Sequence, residues 1–314
     1  MFGDLSVLDK YTLNFSQSGL FLLNITLAII MFGVALGIKT QNFKNILARP
    51  KPVIIGLISQ FFILPAITFL LILLIKPSES VALGMILVAA CPGGNISNFI
   101  TSLAKANIEL SVSLTGISTI LSVFLTPFNF AFWGGLFVKT SKLLRPIEID
   151  FFQMFQTVII ILGIPLILGI LFAKKFPKTT DKIKNIFKIV SIIIFAGFVI
   201  IALSNNFSLF LRYIYLIFFI VLIHNGFALL SGYITATAFK LDIKNRRAIS
   251  IETGIQNSGL ALVLIFNPKI FPYDLQIGGM AFIAAWWGIW HIISGMFLAY
   301  LWGIKRKKYI EKNN

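Results

Sequence analysis

Apolar residues in this chain come in continuous runs of helix length, separated by short polar stretches that are mostly basic. A helix needs roughly 20 apolar residues to cross the hydrocarbon core of a bilayer. The pattern predicts nine spans, near Gly19–Ile38, Pro52–Ile75, Val81–Ala104, Ile108–Leu125, Phe151–Ala173, Ile189–Ser204, Tyr213–Phe239, Ala248–Phe266 and Ile277–Gly303. The fourth has room to extend past Pro127 towards Trp133, and the second contains Gln60 and Pro65. Lys76–Ser80 and Lys105-Ala106-Asn107 read as tight turns, with Asn107 an N-cap and Glu109 favourable in the first helical turn. Before the first span, Met1–Ser18 mixes Leu5, Val7, Leu8, Tyr11, Leu13 and Phe15 with polar residues and reads as an interfacial segment. It shows no cleavable signal pattern. Lys139–Asp150 is the longest polar stretch of the middle region and the expected linker, residues 139–150, between a first half at 19–138 and a second at 151–304. Residues 305–314 form a basic tail.

Two of the spans are interrupted. Cys91-Pro92-Gly93-Gly94-Asn95-Ile96-Ser97-Asn98 separates the apolar runs Val81–Ala90 and Phe99–Leu103, neither long enough to span alone. Proline removes a donor and clashes with the preceding turn, and paired glycines lift the steric bar to non-helical angles. A second mixed stretch, Ile251-Glu252-Thr253-Gly254-Ile255-Gln256-Asn257-Ser258-Gly259, precedes the run Leu260–Phe266. Broken backbone at membrane depth survives only where it is buried in protein or lines a cavity. Two such breaks in comparable places of two halves point to a transporter built on a pair of crossing broken helices. The first break runs inward and the second outward, which is inverted-repeat topology, four spans plus five.

Composition narrows the class. Hydrophobic residues make up 58% of the 314 and charged residues only 12%, more apolar surface than one soluble domain can bury. The fold class expected is therefore an all-α integral membrane protein; continuous runs without dyad alternation argue against a β-barrel. A net charge of +16 could suggest nucleic acid, but the basic residues sit in short loops between spans. Most of them, in Lys39–Lys51, Lys174–Lys188, Lys240–Arg247 and the tail, fall on one side, which is then cytoplasmic, with the N-terminus outside. A multi-pass protein of the cytoplasmic (inner) membrane is expected, with no nucleic-acid partner. The single cysteine, Cys91, excludes an internal disulfide and is expected to pack as a small apolar side chain.

Among the 11 acidic residues, only Glu252 falls within a predicted span near a break. A carboxylate there needs compensation. A pair with a basic residue, a carried proton and a bound cation are the three readings. No Lys or Arg sits in the span cores, which weighs against the first. Hard cations take oxygen ligands, and the surroundings are rich in them: Ser97 and Asn98 at the first break, Gln256 four residues after Glu252, and unwound carbonyls at both breaks. Ser111, Thr115, Ser118 and Ser122 recur at helical spacing on one face of the fourth span. Such hydroxyls by default bond their own backbone or a neighbouring helix, as Gln60 by default packs between helices. No enzyme constellation emerges: His224 and His291 lack metal-ligand spacing, and no phosphate loop is present.

Taken together, Met31-Phe32-Gly33, Ile54-Ile55-Gly56, Gln60-Phe61, Cys91-Pro92-Gly93-Gly94 with Ser97-Asn98, Leu110-Ser111-Val112, His224-Asn225-Gly226, Glu252 through Leu260 and Trp290-His291 resemble the bile acid:sodium symporter family, bacterial members especially. The likeness runs from about Ile30 to Tyr300. It implies a panel domain and a core domain, the core holding the crossing helices with two sodium sites behind them. The first site would use Ser97, Asn98, Ser111, Thr115 and Glu252; the second Gln60, Glu252 and Gln256 with the carbonyls of Thr253 and Ile255. Asn95, Asn257 and His291 would face substrate. This chain departs by having nine spans where some bacterial members have ten. It also has Asn95 where threonine is common, and Ile292 where asparagine follows the histidine.

The resemblance implies sodium-coupled uptake of an organic anion by alternating access, a bile-acid-like molecule or a small carboxylate such as pantothenate. It implies no cofactor beyond Na+ as coupling ion, two of them, and a monomer in the lipid bilayer. A proton-coupled or efflux carrier of related architecture, of the arsenite-efflux or auxin-carrier type, is the first alternative. A membrane ligand sensor that does not transport is the second.

Overall fold

A computed structural model describes residues 6–9, 17–37, 50–94, 96–140, 150–204, 207–267, 269–271, 275 and 277–313. Its helices are α1 (Gln17–Leu36), α2 (Pro50–Ile75), α3 (Glu79–Ala90), α4 (Ile96–Leu103), α5 (Ile108–Thr140), α6 (Phe151–Lys175), α7 (Pro177–Ser204), α8 (Phe207–Ala238), α9 (Ile243–Gly254), α10 (Ser258–Ile265) and α11 (Gly278–Asn313). Among the described residues, five helices are long and apolar enough to cross a membrane: α2, α6, Ile108–Phe137 of α5, Ile217–Ala238 of α8 and Gly278–Gly303 of α11. The predicted third and eighth spans are each two short helices, α3 with α4 and α9 with α10. The linker expected at 139–150 lies outside the described residues except for its ends.

Helices α1, α6 and α7 pack on one another. Gly169 of α6 allows the closest approach: a Cβ there would lie 2.5 Å from Ala35 Cβ and 2.8 Å from Phe32 O of α1. Small residues at such a contact let backbones meet where no water is present to drive association. Phe32 then stacks its edge on Phe172 at 5.8 Å and tilts against Phe187 at 5.5 Å. The remaining helices surround the short pairs. Every residue of α3 from Ser80 to Ala90 is buried, as is every residue of α10. A helix apolar and covered on all sides belongs inside a bundle. Phe62, Leu70, Leu74, Phe152, Ile160, Leu171, Phe219 and Phe297 instead stand exposed around the outside, the surface a lipid-facing protein presents.

Leu8, in the single helical turn Ser6–Asp9, is fully buried in the main core; the rest of the predicted interfacial segment up to Ser16 lies outside the described residues. The fourth span runs straight through Pro127 as one helix to Thr140. Two other prolines leave a local mark. In α2, Ser59–Ile63 widens into a π turn just ahead of Pro65, with Leu64 N–H reaching Ser59 O. In α6, Ile159–Gly163 does the same ahead of the proline at the next helical start, with Ile164 N–H reaching Ile159 O. Proline cannot supply its own N–H and crowds the carbonyl four residues back, so the preceding turn opens by one residue. In α2 this makes Ser59, Gln60 and Phe61 all buried in succession.

The tight turn between α4 and α5 forms as expected. Asn107 Oδ1 accepts from Leu110 N–H at 3.1 Å, and Asn107 Nδ2 donates to Asn245 Oδ1 at 2.7 Å. That second bond ties the turn ahead of α5 to the start of α9.

Candidate functional site

The two interruptions meet. Gly94 N–H donates to Ile255 O at 2.7 Å and Asn257 N–H donates to Pro92 O at 2.8 Å, forming a one-residue antiparallel bridge between Gly93 and Gln256. Backbone groups freed by each break are thus satisfied by the other, as buried backbone requires. The carbonyl left at the end of α3, Ala90 O, accepts from Thr126 Oγ1 of α5 at 2.8 Å. Asn257 is the N-cap of α10, its Oδ1 accepting from Leu260 N–H at 3.0 Å.

The glycines act through space rather than through unusual angles: no described glycine has a positive φ. A Cβ on Gly93 would sit 2.6 Å from Glu252 Oε2 and 3.1 Å from Gln60 Nε2. One on Gly94 would sit 3.2 Å from Gln256 O. Both glycines therefore let the first break lie directly against the second.

Glu252, in the last turn of α9, is 1% exposed. Ser97 Oγ donates to its Oε1 at 2.5 Å, Ser111 Oγ donates to the same oxygen, and Thr115 Oγ1 lies 3.0 and 3.2 Å from Oε1 and Oε2. Thr115 Oγ1 also approaches Asn98 Oδ1 at 3.4 Å. All five residues expected at the first cation site are therefore neighbours, drawn from α4, α5 and α9. The hydroxyl stripe divides at this point. Ser111 and Thr115 reach the carboxylate, whereas Ser118 donates to Thr115 O and Ser122 to Thr119 O, the default for hydroxyls on a membrane helix. Thr101, not anticipated from the sequence, donates to Ser111 Oγ at 3.2 Å.

The second set shares the crossing: Gly93 adjoins Gln60 Nε2 and Glu252 Oε2 and is bridged to Gln256. Gln60 is fully buried, and neither its Oε1 nor its Nε2 has a hydrogen-bond partner. Gln256 Nε2 donates to Thr253 O at 2.8 Å while its Oε1 is buried without a partner. The buried, unpartnered amide oxygens of Gln60 and Gln256, with the Glu252 carboxylate and the carbonyls at the end of α9, are the donor types a hard cation takes. The residues present thus fit an alkali ion. No group of three or more His, Cys, Asp or Glu occurs among the described residues, so a soft or transition metal finds no comparable set there. Ser59 Oγ pairs with Thr253 Oγ1 at 2.9 Å, which holds this segment against the π turn of α2. Ser59 was not legible as a site residue, because its role depends on the extra residue in that turn.

Removing the polar end of Gln60 tests whether its unpartnered amide serves a bound cation. Gln60→Leu eliminates two buried atoms without partners, each of which costs about 1–3 kcal/mol. The variant is expected to melt at or above the wild-type temperature without sodium and to need roughly tenfold more sodium for half of the stabilisation. Melting curves against sodium, with choline as replacement, check both parts.

Of the residues expected to face substrate, Asn95 lies outside the described residues. Asn257 is half-buried with its oxygen engaged in the cap, and His291 is buried on α11 with Nδ1 unpartnered. No hydrogen bond joins Asn257 to His291 among the described residues. His224 lies within 2.7 Å of Thr68 Oγ1 and edge-on to Trp287. Cys91 is buried and free, as its packing role requires.

Interrupted helices that cross inside a helical bundle, with a lone carboxylate among neutral oxygens at the crossing, define a membrane transporter of the secondary type. The comparisons with known proteins agree. Residues 24–212 match the model of the sodium bile acid symporter family. The sodium-dependent transporter YocS of Bacillus subtilis (strain 168), named as uncharacterized, is 36% identical over 289 residues, which cover 91% of this chain and 84% of that protein. The probable sodium/metabolite cotransporter BASS1 of Arabidopsis thaliana chloroplasts is 28% identical over 292 residues, covering 91% of this chain and 67% of that one. The ileal sodium/bile acid cotransporter of Cricetulus griseus is 27% identical over 306 residues, covering 93% and 81%. The chain belongs to the sodium bile acid symporter family. It is a multi-pass membrane transport protein and not an enzyme, with sodium as the coupling ion that its relatives support.

Proposed function

We propose that this protein imports a small organic anion with two sodium ions by alternating access. One sodium is held by Ser97, Asn98, Ser111, Thr115 and Glu252. The other is held by Gln60, Glu252, Gln256 and the carbonyls of Thr253 and Ile255. Two monovalent cations beside one carboxylate leave a net charge of about +1. A monoanion placed at the N-termini of α4 and α10, near Asn95, Asn257 and His291, complements that charge. Bile-acid-like sterols and small carboxylates such as pantothenate both meet this requirement.

The observation that carries the reading is the buried Glu252 carboxylate held by three hydroxyls at the point where the broken helices cross, where Gly93 also adjoins the unpartnered Gln60 amide and is bridged to Gln256. Sodium joining these groups draws α2, α4, α5 and α9 together, which shapes the substrate face. The helices α1, α6 and α7 serve as the panel against which the rest moves, in two inverted halves at 19–138 and 151–304. The basic loops lie on the cytoplasmic side of the bacterial inner membrane, and the protein works as a monomer.

Uptake into proteoliposomes tests this. Labelled taurocholate and pantothenate, with an inward sodium gradient, should accumulate for at least one of the two, and replacing sodium by choline should reduce uptake at least about tenfold. Accumulation driven equally by a proton gradient without sodium would favour the proton-coupled alternative. Sodium-dependent binding of anions without any accumulation would favour the sensor.

A further inference from the structure

The carbonyls left where α9 ends are held by an uneven set of partners. Ile255 O accepts from Gly94 N–H across the crossing, and Thr253 O accepts from the Gln256 side chain. Both of those donors belong to the crossing itself. Gly254 O, between them, is held from outside: Asn225 Nδ2 of α8 donates to it at 2.7 Å. Asn225 is fully buried, and its Oδ1 accepts from Ser294 Oγ of α11 at 2.5 Å. Gly254 O can only accept, so the NH2 must face it; the amide oxygen then points towards α11, where the Ser294 hydroxyl donates to it and holds that orientation. Ile255 N–H donates to Ile251 O at 2.9 Å, so the peptide plane between Gly254 and Ile255 is pinned at both its carbonyl and its N–H. Leu229, one turn along α8 from Asn225, closes the space beside this peptide: a Cβ on Gly254 would lie 2.3 Å from Leu229 Cδ2. Without such restraint a glycine followed by unwound backbone samples many orientations.

We propose that Asn225, oriented by Ser294, is a positioning residue for the second sodium site. It fixes the Gly254 peptide so that the carbonyls of Thr253 and Ile255, one on each side, face the ion; this rests on the sodium reading above. Asn225 does not touch the cation. Its effect is on how much reorganisation the carbonyls need before the ion binds, so its loss weakens sodium binding beyond any loss of stability. Ser294 sits three residues after His291 and its hydroxyl also lies 3.2 Å from His291 O. The same link therefore runs from the ion-binding carbonyls to the helix expected to face substrate.

The test uses the purified full chain in detergent, with sodium chloride titrated against choline chloride at constant total salt and melting temperature as the readout. Wild type should be stabilised saturably by sodium. Asn225→Ala should raise the half-saturating sodium concentration about tenfold and Ser294→Ala about threefold, the scale of one and of part of one buried hydrogen bond. Thr126→Val is the comparison. It removes a similar bond, to Ala90 O at the first break, and should lower the sodium-free melting temperature while leaving half-saturation within about twofold. Unshifted half-saturation in both Asn225→Ala and Ser294→Ala would make the bond merely structural and overturn the proposal; should Asn225→Ala not fold, Ser294→Ala decides alone. A wild type indifferent to sodium would overturn the sodium reading itself, and this inference with it.

Discussion

Glu252→Ala is expected to abolish sodium-driven uptake while the protein still folds. Among the described residues the carboxylate is the one charged group at the crossing, and both proposed ion sites share it. Removing one partner of a buried charge pair costs about 3–5 kcal/mol, which is roughly two to three and a half orders of magnitude in affinity. Both ions should be affected together, since neither site keeps a compensating charge. Glu252→Gln separates charge from packing. It preserves volume and an oxygen that can accept from Ser97, Ser111 and Thr115, so its melting temperature without sodium should match wild type within a few degrees. Its sodium response should nevertheless be lost. Uptake by both variants in proteoliposomes, beside their melting curves, checks this; a variant that still accumulates substrate on a sodium gradient would remove Glu252 from the mechanism.

Gly93→Ala should come second in severity. The added methyl would lie 2.6 Å from Glu252 Oε2, closer than a Cβ contact allows, and 3.1 Å from Gln60 Nε2, a tight contact, so both side chains must shift. The strand-like bridge to Gln256 prevents the backbone from stepping aside without breaking Gly94 N–H to Ile255 O and Asn257 N–H to Pro92 O. Overpacking of this kind costs about 1–3 kcal/mol. Here the strain is directed at two proposed ligands, so sodium affinity should fall by more than about tenfold. Gly226→Ala is the natural control, because nothing lies within 4 Å of a Cβ built there. Sodium-dependent melting of the two variants, compared side by side, should show a large shift for the first and none for the second.

The fold and the crossing were legible because the membrane imposes two strong rules on a sequence. Apolar runs must be long enough to span, and backbone that breaks mid-span must find partners inside the protein. Pro92, Gly93 and Gly94 violate helix chemistry in a place where violation is expensive, and Glu252 violates apolarity in the same way. Those two signals located the candidate site. Ser111 and Thr115 were readable as a stripe, but nothing in the spacing could say that Ser118 and Ser122, on the same face, would turn to their own backbone. That division depends on where α9 passes α5. The role of the glycines was legible only in part: their need is for room beside Glu252 and Gln256, not for a left-handed backbone.

Other residues had no signal strong enough to read. Ser59 faces the crossing because a π turn adds one residue ahead of Pro65, and proline predicts a disturbance without its form. Thr126 and Asn225 hold carbonyls on helices remote in sequence. A single threonine or asparagine in a membrane helix is ordinary, and its partner is set by tertiary packing alone. Asn225 was legible as part of a family-like motif, but not as the donor to Gly254.

Equilibrium sodium binding to the purified protein by calorimetry, wild type against Glu252→Gln, tests the central claim most directly. Saturable binding of about two sodium ions by wild type, in preference to potassium, with both lost in Glu252→Gln, is the predicted result. Sodium bound by Glu252→Gln with wild-type affinity and stoichiometry would contradict it.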